Sequence, residues 1–190
     1  QKSHFLETII NETDRLSRLV NQVLDLEKYE SGKHILKKVD ISVKDLVENV
    51  KDRLEEIANE KNIKIKLFYL PETKDIKGDE DKLLQMLINV VSNAIKFVKP
   101  HDGEILITLN SSKKRTVFTI EDNGIGIPKD AQIRLFEKFY QVENGSYSDI
   151  KGSGLGLSIV KKIVELHKGT IHLESVVNKG TKVMISLPIK

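Results

Sequence analysis

At 190 residues the chain has room for one ordinary domain plus a smaller element, and with 39% hydrophobic and 31% charged residues it has the composition of a globular protein. A formal charge of +3, with lysines scattered among acids and only 5% aromatic residues, argues against a nucleic-acid binder, and no apolar run approaches the roughly 20 residues needed to cross a bilayer. Zero cysteines exclude disulfides and thiolate metal sites, which fits a reducing cytoplasm, and the start, QKSHFLETII, lacks the basic-then-apolar pattern of a secretory signal.

Along the first thirty residues, Leu6, Ile9, Thr13, Leu16, Val20 and Val23 recur three and four apart, and Ile10, Leu19, Leu24 and Leu26 widen the stripe. The pattern predicts a long helix with a bundle-type seam, closed at Gly32 by a left-handed cap. A single helix cannot bury such a stripe, so residues 1–32 read as part of a helical dimerisation element whose partner helix lies outside this sequence. Packing of the stripe on the following domain is the alternative.

Further on, KKVDISV is predicted as a short edge strand, and Val43, Leu46, Val50, Leu54 and Ile57 mark one face of a second helix. IKIKLFYL alternates as a strand does, and DEDKLLQMLINVVSNAIKFV is a strong helix with Leu84, Leu87, Ile88, Val91 and Ile95 as core positions. EILITLN and RTVFTIED are joined by few residues and pair as an antiparallel hairpin, a short helix covers AQIRLFEKF, and TIHLESV and TKVMISLPI pair across NKG. The fold class is α+β, a two-layer α/β sandwich whose mixed sheet is covered by helices on one face.

Three stretches carry chemistry. On the helix LINVVSNAIKF, Asn89, Asn93 and Lys96 sit four and three apart and share a face away from the core. Asparagine is a mediocre helix former, so stacked amides beside a lysine suit a site where amide oxygens, phosphate oxygens and water surround Mg²⁺; a solvated polar stripe is the bland alternative. In EDNGIGIP, Asp122 ends a strand, and its carboxylate could accept a hydrogen bond from an exocyclic amine such as that of adenine, although a plain Asp-Asn-Gly turn uses the same residues. The polar, glycine-punctuated run FEKFYQVENGSYSDIKGSGLG reads as a mobile lid, and its final glycines open onto a helix N-terminus, where unpaired N–H groups and the dipole favour phosphate.

Together and in this order, these stretches resemble the catalytic, ATP-binding domain of bacterial two-component sensor histidine kinases, within the group that also holds DNA gyrase, mismatch-repair ATPases and heat-shock chaperone ATPases. INVVSNAIKF is similar to the N box, EDNGIGIP to the first glycine box, LFEKFYQ to the F box and GSGLGLSIV to the second glycine box. The resemblance implies a Bergerat-type ATP-binding fold over residues 33–190, preceded by the second helix of a dimerisation and phosphoacceptor hairpin at 1–32. It implies that Asn93, with Asn89, holds Mg²⁺ against the triphosphate, that Lys96 touches phosphate, that Phe97 flanks the nucleotide and that Asp122 reads the adenine amine. Gly124 and Gly126, with Ile125 between them, would let the base lie close. Phe136 and Phe139 would anchor the lid, Lys138 and Tyr140 would face the ligand from it, and Gly152, Ser153, Gly154, Leu155, Gly156 and Leu157 would give it hinges and cradle phosphate. No residue of the chain is assigned a catalytic role.

Two details refine this reading. Hydrolysing relatives carry a glutamate one helical turn before the metal asparagine, and here that place holds Asn89, a poor general base, so transfer to another acceptor is favoured over hydrolysis. Many kinases end the F box in arginine where this chain has Gln141, which leaves Lys138 as the lid cation. The chain's 5 histidines, His4, His34, His101, His167 and His172, lack the family's His-Glu-Leu-Arg-type setting and are read as surface or structural residues.

The resemblance therefore implies an ATP- and Mg²⁺-binding kinase fragment that needs an acceptor histidine from the missing hairpin. Its implied partners are a response-regulator receiver domain and a second copy bound through that hairpin, without nucleic acid or membrane contact. An ATPase or serine kinase of the same fold, and a nucleotide-free interaction module, are the rival readings.

Overall fold

The computed structural model describes residues 2–31, 35–98, 102–142 and 152–189. The chain divides into two compact units, Gln1–His34 and Ile35–Lys190. The first is a single helix, α1 (Lys2–Glu30), about 43 Å long at 1.5 Å per residue. Leu6, Ile9, Ile10, Leu16, Val20 and Leu24 are all exposed along it. The cap expected at Gly32 lies outside the described residues. Among the described residues no helix is long and apolar enough to cross a membrane.

The second unit runs β1 (Val39–Ile41), α2 (Val43–Glu60), β2 (Ile63–Tyr69), β3 (Ile76–Gly78), α3 (Glu80–Phe97), β4 (Gly103–Ser111), β5 (Arg115–Asp122), α4 (Lys129–Gln132), α5 (Gly156–Leu166), β6 (Thr170–Val176) and β7 (Gly180–Pro188). The main sheet has the order β2-β4-β5-β7-β6, with β2 and β4 parallel and the other neighbours antiparallel. The expected two-layer sandwich with a mixed sheet is therefore present, and both hairpins form where short connections demanded them.

Helix limits follow from side chains that satisfy the end groups. Ser42 caps α2 by accepting the Asp45 N–H at 3.3 Å, and Asp79 caps α3 by accepting that of Lys82 at 3.3 Å. At the end of α5, Lys168 turns left-handed at φ 56°, its N–H reaches the Glu165 carbonyl at 2.9 Å, and the Gly169 N–H reaches that of Val164 at 2.8 Å. Those two bonds form a Schellman motif.

Period-two burial puts Ile105, Ile107 and Leu109 of β4, Phe118 and Ile120 of β5, and Val183, Ile185 and Leu187 of β7 into one layer beneath the helices. Against them pack Val43, Leu46, Val50 and Leu54 of α2, Ile159, Val160 and Ile163 of α5, and the buried side of α3. That side is rotated from the expected one. Leu83, Met86, Val90 and Ala94 are buried with Leu87, Val91 and Ile95, whereas Leu84 and Ile88 are half-buried, because α3 meets α2 and α5 as well as the sheet. Ile57 is exposed on α2, with Ala58 buried in its place.

Two elements differ from expectation. β1 is not an edge of the main sheet but pairs antiparallel with β3, Val39 opposite Gly78 and Ile41 opposite Ile76, in a separate two-stranded sheet. The helix expected over AQIRLFEKF is only α4, after which the chain continues through i→i+3 turns, Arg134 N–H to Ala131 at 3.0 Å and Glu137 N–H to Arg134 at 2.9 Å. Beyond those turns Phe139 takes a left-handed backbone at φ 61°, and its N–H reaches the Gly154 carbonyl at 3.0 Å, so no helix runs through it.

Phe118 is completely buried at the centre of this layer. Phe118→Ala is expected to lower the unfolding free energy by about 3–5 kcal/mol, measured by urea denaturation.

Candidate functional site

β5 delivers Asp122 to its C-terminal end, where the strand gives way to the glycine loop. Its Oδ1 accepts the N–H of Gly124 at 2.8 Å and that of Thr181, from β7, at 3.2 Å. Its Oδ2 accepts no hydrogen bond from a described residue. The carboxylate is thus aimed by the backbone, with one oxygen committed and the other open. Burial pushes its carboxyl above the ordinary aspartate range; the two N–H donors pull the other way, and Glu121 adds to the rise.

The loop is held from two sides. The Ile125 N–H donates to the Phe97 carbonyl at the end of α3 at 3.0 Å, and the Asn178 N–H of the β6–β7 turn donates to the Ile125 carbonyl at 2.7 Å. On the same side, the Ile127 N–H reaches Ser175 Oγ at 2.8 Å, and that hydroxyl lies 2.9 Å from Thr181 Oγ1.

This geometry changes why the first box needs glycine. A Cβ on Gly124 would stand 2.3 Å from the Phe97 carbonyl oxygen, and one on Gly126, at φ 66°, 2.0 Å from that of Val176. The protein's own backbone, before any ligand, forbids a side chain at both. Gly180, at φ 113°, is constrained in the same way by the Asp122 carbonyl oxygen at 1.9 Å. Sequence reading missed Gly180, Thr181 and Ser175 as supports of Asp122; the signal within reach was the glycine that closes the NKG turn.

Asn89 and Asn93 are half-buried one turn apart on α3, and no described residue hydrogen-bonds to either side-chain amide. Lys96 is exposed on the next turn, and Phe97 is half-buried. Among the described residues no cluster of three or more His, Cys, Asp or Glu could hold a metal ion.

The second glycine box opens α5, whose N-terminus lacks a side-chain cap. Leu155 is fully buried and anchors the turn, its N–H reaching Ser153 Oγ at 3.2 Å, while Leu157 is half-buried. A Cβ on Gly152 or Gly156 would meet no described residue within 4 Å, so among the described residues these two glycines border open space. Gly154 differs, being left-handed at φ 68° with its Cβ position 2.7 Å from Phe139 Cα.

The N box and this helix start converge. The Asp79 N–H, at the start of α3, bonds to His167 at the end of α5 at 3.0 Å, so the two packed helices run antiparallel. Counting back from His167 by about 16 Å, Gly156 stands level with the stretch of α3 that carries Asn89 and Asn93.

Lid residues are placed separately. Gln141 donates from Nε2 to the Gly152 carbonyl at 3.2 Å, giving the position that holds arginine in many kinases a neutral backbone contact. Tyr140 lies under the Arg134 guanidinium at 4.4 Å, and both border an open cleft of about 430 Å³ with Pro128, Ala131 and the exposed Lys138. That cleft shares no lining residue with Asp122 or α3. Phe136 is half-buried and Phe139 exposed. Residues 143–151 of the expected lid lie outside the described set. Of the histidines, His167 is buried and structural and His172 is exposed; His34 and His101, like the side chain of His4, lie outside the described set.

The family model for histidine kinase-, DNA gyrase B- and HSP90-like ATPases matches residues 78–190, more than half of the chain. The chain belongs to that family, and sensor histidine kinases are among its relatives. Sensor histidine kinase YclK of Bacillus subtilis (strain 168) is 36% identical over 190 residues, which is 100% of this chain and 40% of that protein. Among solved structures, full-length ShkA in complex with AMPPNP superposes with a TM-score of 0.86 at 28% identity, covering 97% of this chain and 38% of that one. Histidine kinase ThkA in complex with response regulator protein TrrA gives a TM-score of 0.76 at 25% identity, covering 98% of this chain and 51% of that one. The chain therefore carries a histidine-kinase-type ATPase domain and spans less than half the length of the curated relative.

Because the folded chain holds the Asp122 proton more tightly than the unfolded chain, its ionised carboxylate counts against folding once the pH exceeds the ordinary aspartate range, fully so above its raised value. Asp122→Asn is expected to be more stable than the unmutated chain at pH 7. That advantage should shrink as the pH falls from the raised value toward the ordinary aspartate range and be gone below it, followed by thermal melts across pH.

Proposed function

We propose that this chain is the catalytic part of a sensor histidine kinase, which binds ATP with Mg²⁺ and directs the γ-phosphoryl group to a histidine. The observation that carries the reading is the Asp122 carboxylate, with Oδ1 fixed by two backbone N–H groups and Oδ2 left open at the mouth of a glycine loop. An oriented, partly buried acceptor of that kind matches an exocyclic amine, and its desolvation strengthens the bond it makes.

The remaining parts fit a nucleotide. The amides of Asn93 and Asn89 would hold Mg²⁺, which when bound neutralises charge on the triphosphate. Lys96 would touch phosphate, and the uncapped N-terminus of α5, with Gly156 bordering open space, would receive phosphate oxygens on its N–H groups. Ile125 and Phe97 would flank the base, and Ser153, Leu155 and Leu157 would shape the phosphate turn. Phosphoryl transfer needs little covalent chemistry from the protein, so positioning and charge complementarity are what these residues supply. Asn89 offers no strong base to a water molecule, which favours transfer over hydrolysis.

Residues 1–32 are assigned to the dimerisation hairpin, since α1 presents an apolar stripe to solvent over several turns. The acceptor histidine would come from the hairpin's other helix, because no histidine here has the acceptor setting. In this reading the chain binds nucleotide but does not phosphorylate itself. The phosphoryl group would then pass to an aspartate of a response regulator, in keeping with the ThkA–TrrA complex, and the domain would work in the cytoplasm.

Calorimetric titration with a non-hydrolysable ATP analogue and Mg²⁺ tests this. Saturable binding is expected, weakened roughly tenfold to a hundredfold by Asp122→Asn, the effect of losing a hydrogen bond to a charged group. Asn93→Ala should abolish the Mg²⁺ dependence. Absence of binding by the folded, unmutated chain would refute the site.

A further inference from the structure

His167 is the one histidine buried in the described structure, and its setting fixes its chemistry. Its Nδ1 lies 2.8 Å from the Ile163 carbonyl, which can only accept, so Nδ1 carries the proton. Nε2 is left with its lone pair and accepts the Asp79 N–H at 3.0 Å. The ring is the neutral Nδ1–H tautomer, held in place by the Schellman motif that ends α5.

Asp79 is a junction. Besides the N–H given to His167, its Oδ1 caps α3 through Lys82, and its Oδ2 accepts the N–H of Lys37, in the segment that leads into β1, at 3.0 Å. Gly78 closes over the same ring, since a Cβ there would stand 3.1 Å from His167 Cδ2 and 2.8 Å from Leu83 Cδ1. One buried hydrogen bond thus ties the end of α5 to the start of α3, and through Asp79 to the chain entering the domain.

Apolar contacts alone do not fix the register of two helices, because burial is non-directional and ridge-into-groove packing tolerates a spread of geometries. A buried hydrogen bond is directional and costly to break. We propose that His167 is a positioning residue for the nucleotide site, setting the register of α5 on α3 and hence where Gly156 stands relative to Asn89 and Asn93. The role rests on the nucleotide reading above. It acts from Asp79, about 21 Å along α3 from Asn93.

The test uses the whole chain, unmutated and as His167→Phe and His167→Gln, whose Oε1 can accept the Asp79 N–H where Nε2 does. Two quantities are read, affinity for a non-hydrolysable ATP analogue with Mg²⁺ and hydrogen exchange at the Asp79 amide. His167→Phe, with its fold checked by circular dichroism, should weaken binding about fivefold to tenfold and deprotect the amide, and His167→Gln should restore both to within about twofold. In the unmutated chain, saturating nucleotide should slow Asp79 exchange, because coupling between sites is reciprocal; this readout stands even if His167→Phe fails to fold. The role is overturned by unchanged affinity in folded His167→Phe, by equal loss in both variants, or by Asp79 exchange indifferent to bound nucleotide. An unmutated chain that binds no nucleotide overturns the nucleotide reading along with it.

Discussion

A carboxylate drawn partly out of water at the end of β5 sets the terms for everything around it. Left alone it would take up a proton or turn toward solvent. Two backbone N–H groups, from Gly124 and Thr181, hold Oδ1 and keep the side chain aimed while Oδ2 stays open. The N–H of Gly124 arrives only because the loop folds tightly under the Phe97 carbonyl, which requires glycine; that of Thr181 arrives only because Gly180 lets β7 begin against the Asp122 carbonyl. The sheet, the end of α3 and the β6–β7 turn therefore converge on one side chain. Burial raises its pKa, so the ionised carboxylate lowers stability at neutral pH.

The second constraint is the antiparallel pairing of α3 and α5. It places the exposed and half-buried polar face of one helix beside the uncapped start of the other, so that side-chain amides and main-chain N–H groups border the same region. Both helices are buried against the sheet along their apolar sides, and at their far ends the Asp79–His167 bond supplies the directional contact that apolar packing lacks. The family model, matched over residues 78–190, concerns this arrangement of helices on a sheet, and the exposed stripe on α1 belongs to a separate unit.

What could be read from sequence was what is local. The alternation in β2, β4, β5 and β7 and the short hairpin connections define most of the sheet, and each glycine box, like the pair of asparagines, spans only a few residues. Bonds between distant parts of the chain were invisible. Thr181 meets Asp122 across 59 residues, and His167 meets Asp79 across 88. β3 was missed because Ile76–Gly78 is too short for periodicity to register and exists by pairing with β1. The face of α3 was drawn too far toward Leu84 and Ile88 because Met86 and Ala94, weakly suggestive in a sequence, fill the close contacts instead. The glycines of the first box stand out in the sequence, but the carbonyls of Phe97 and Val176 that require them belong to distant parts of the chain.

The most direct measurement compares the binding of an adenosine triphosphate analogue with that of its inosine counterpart, which has a carbonyl oxygen in place of the exocyclic amine. If Asp122 Oδ2 reads that amine, the adenine form should bind at least about tenfold more tightly, because the inosine form sets an acceptor against a carboxylate. Equal affinity for the two would contradict the assignment of Asp122 and move base recognition elsewhere.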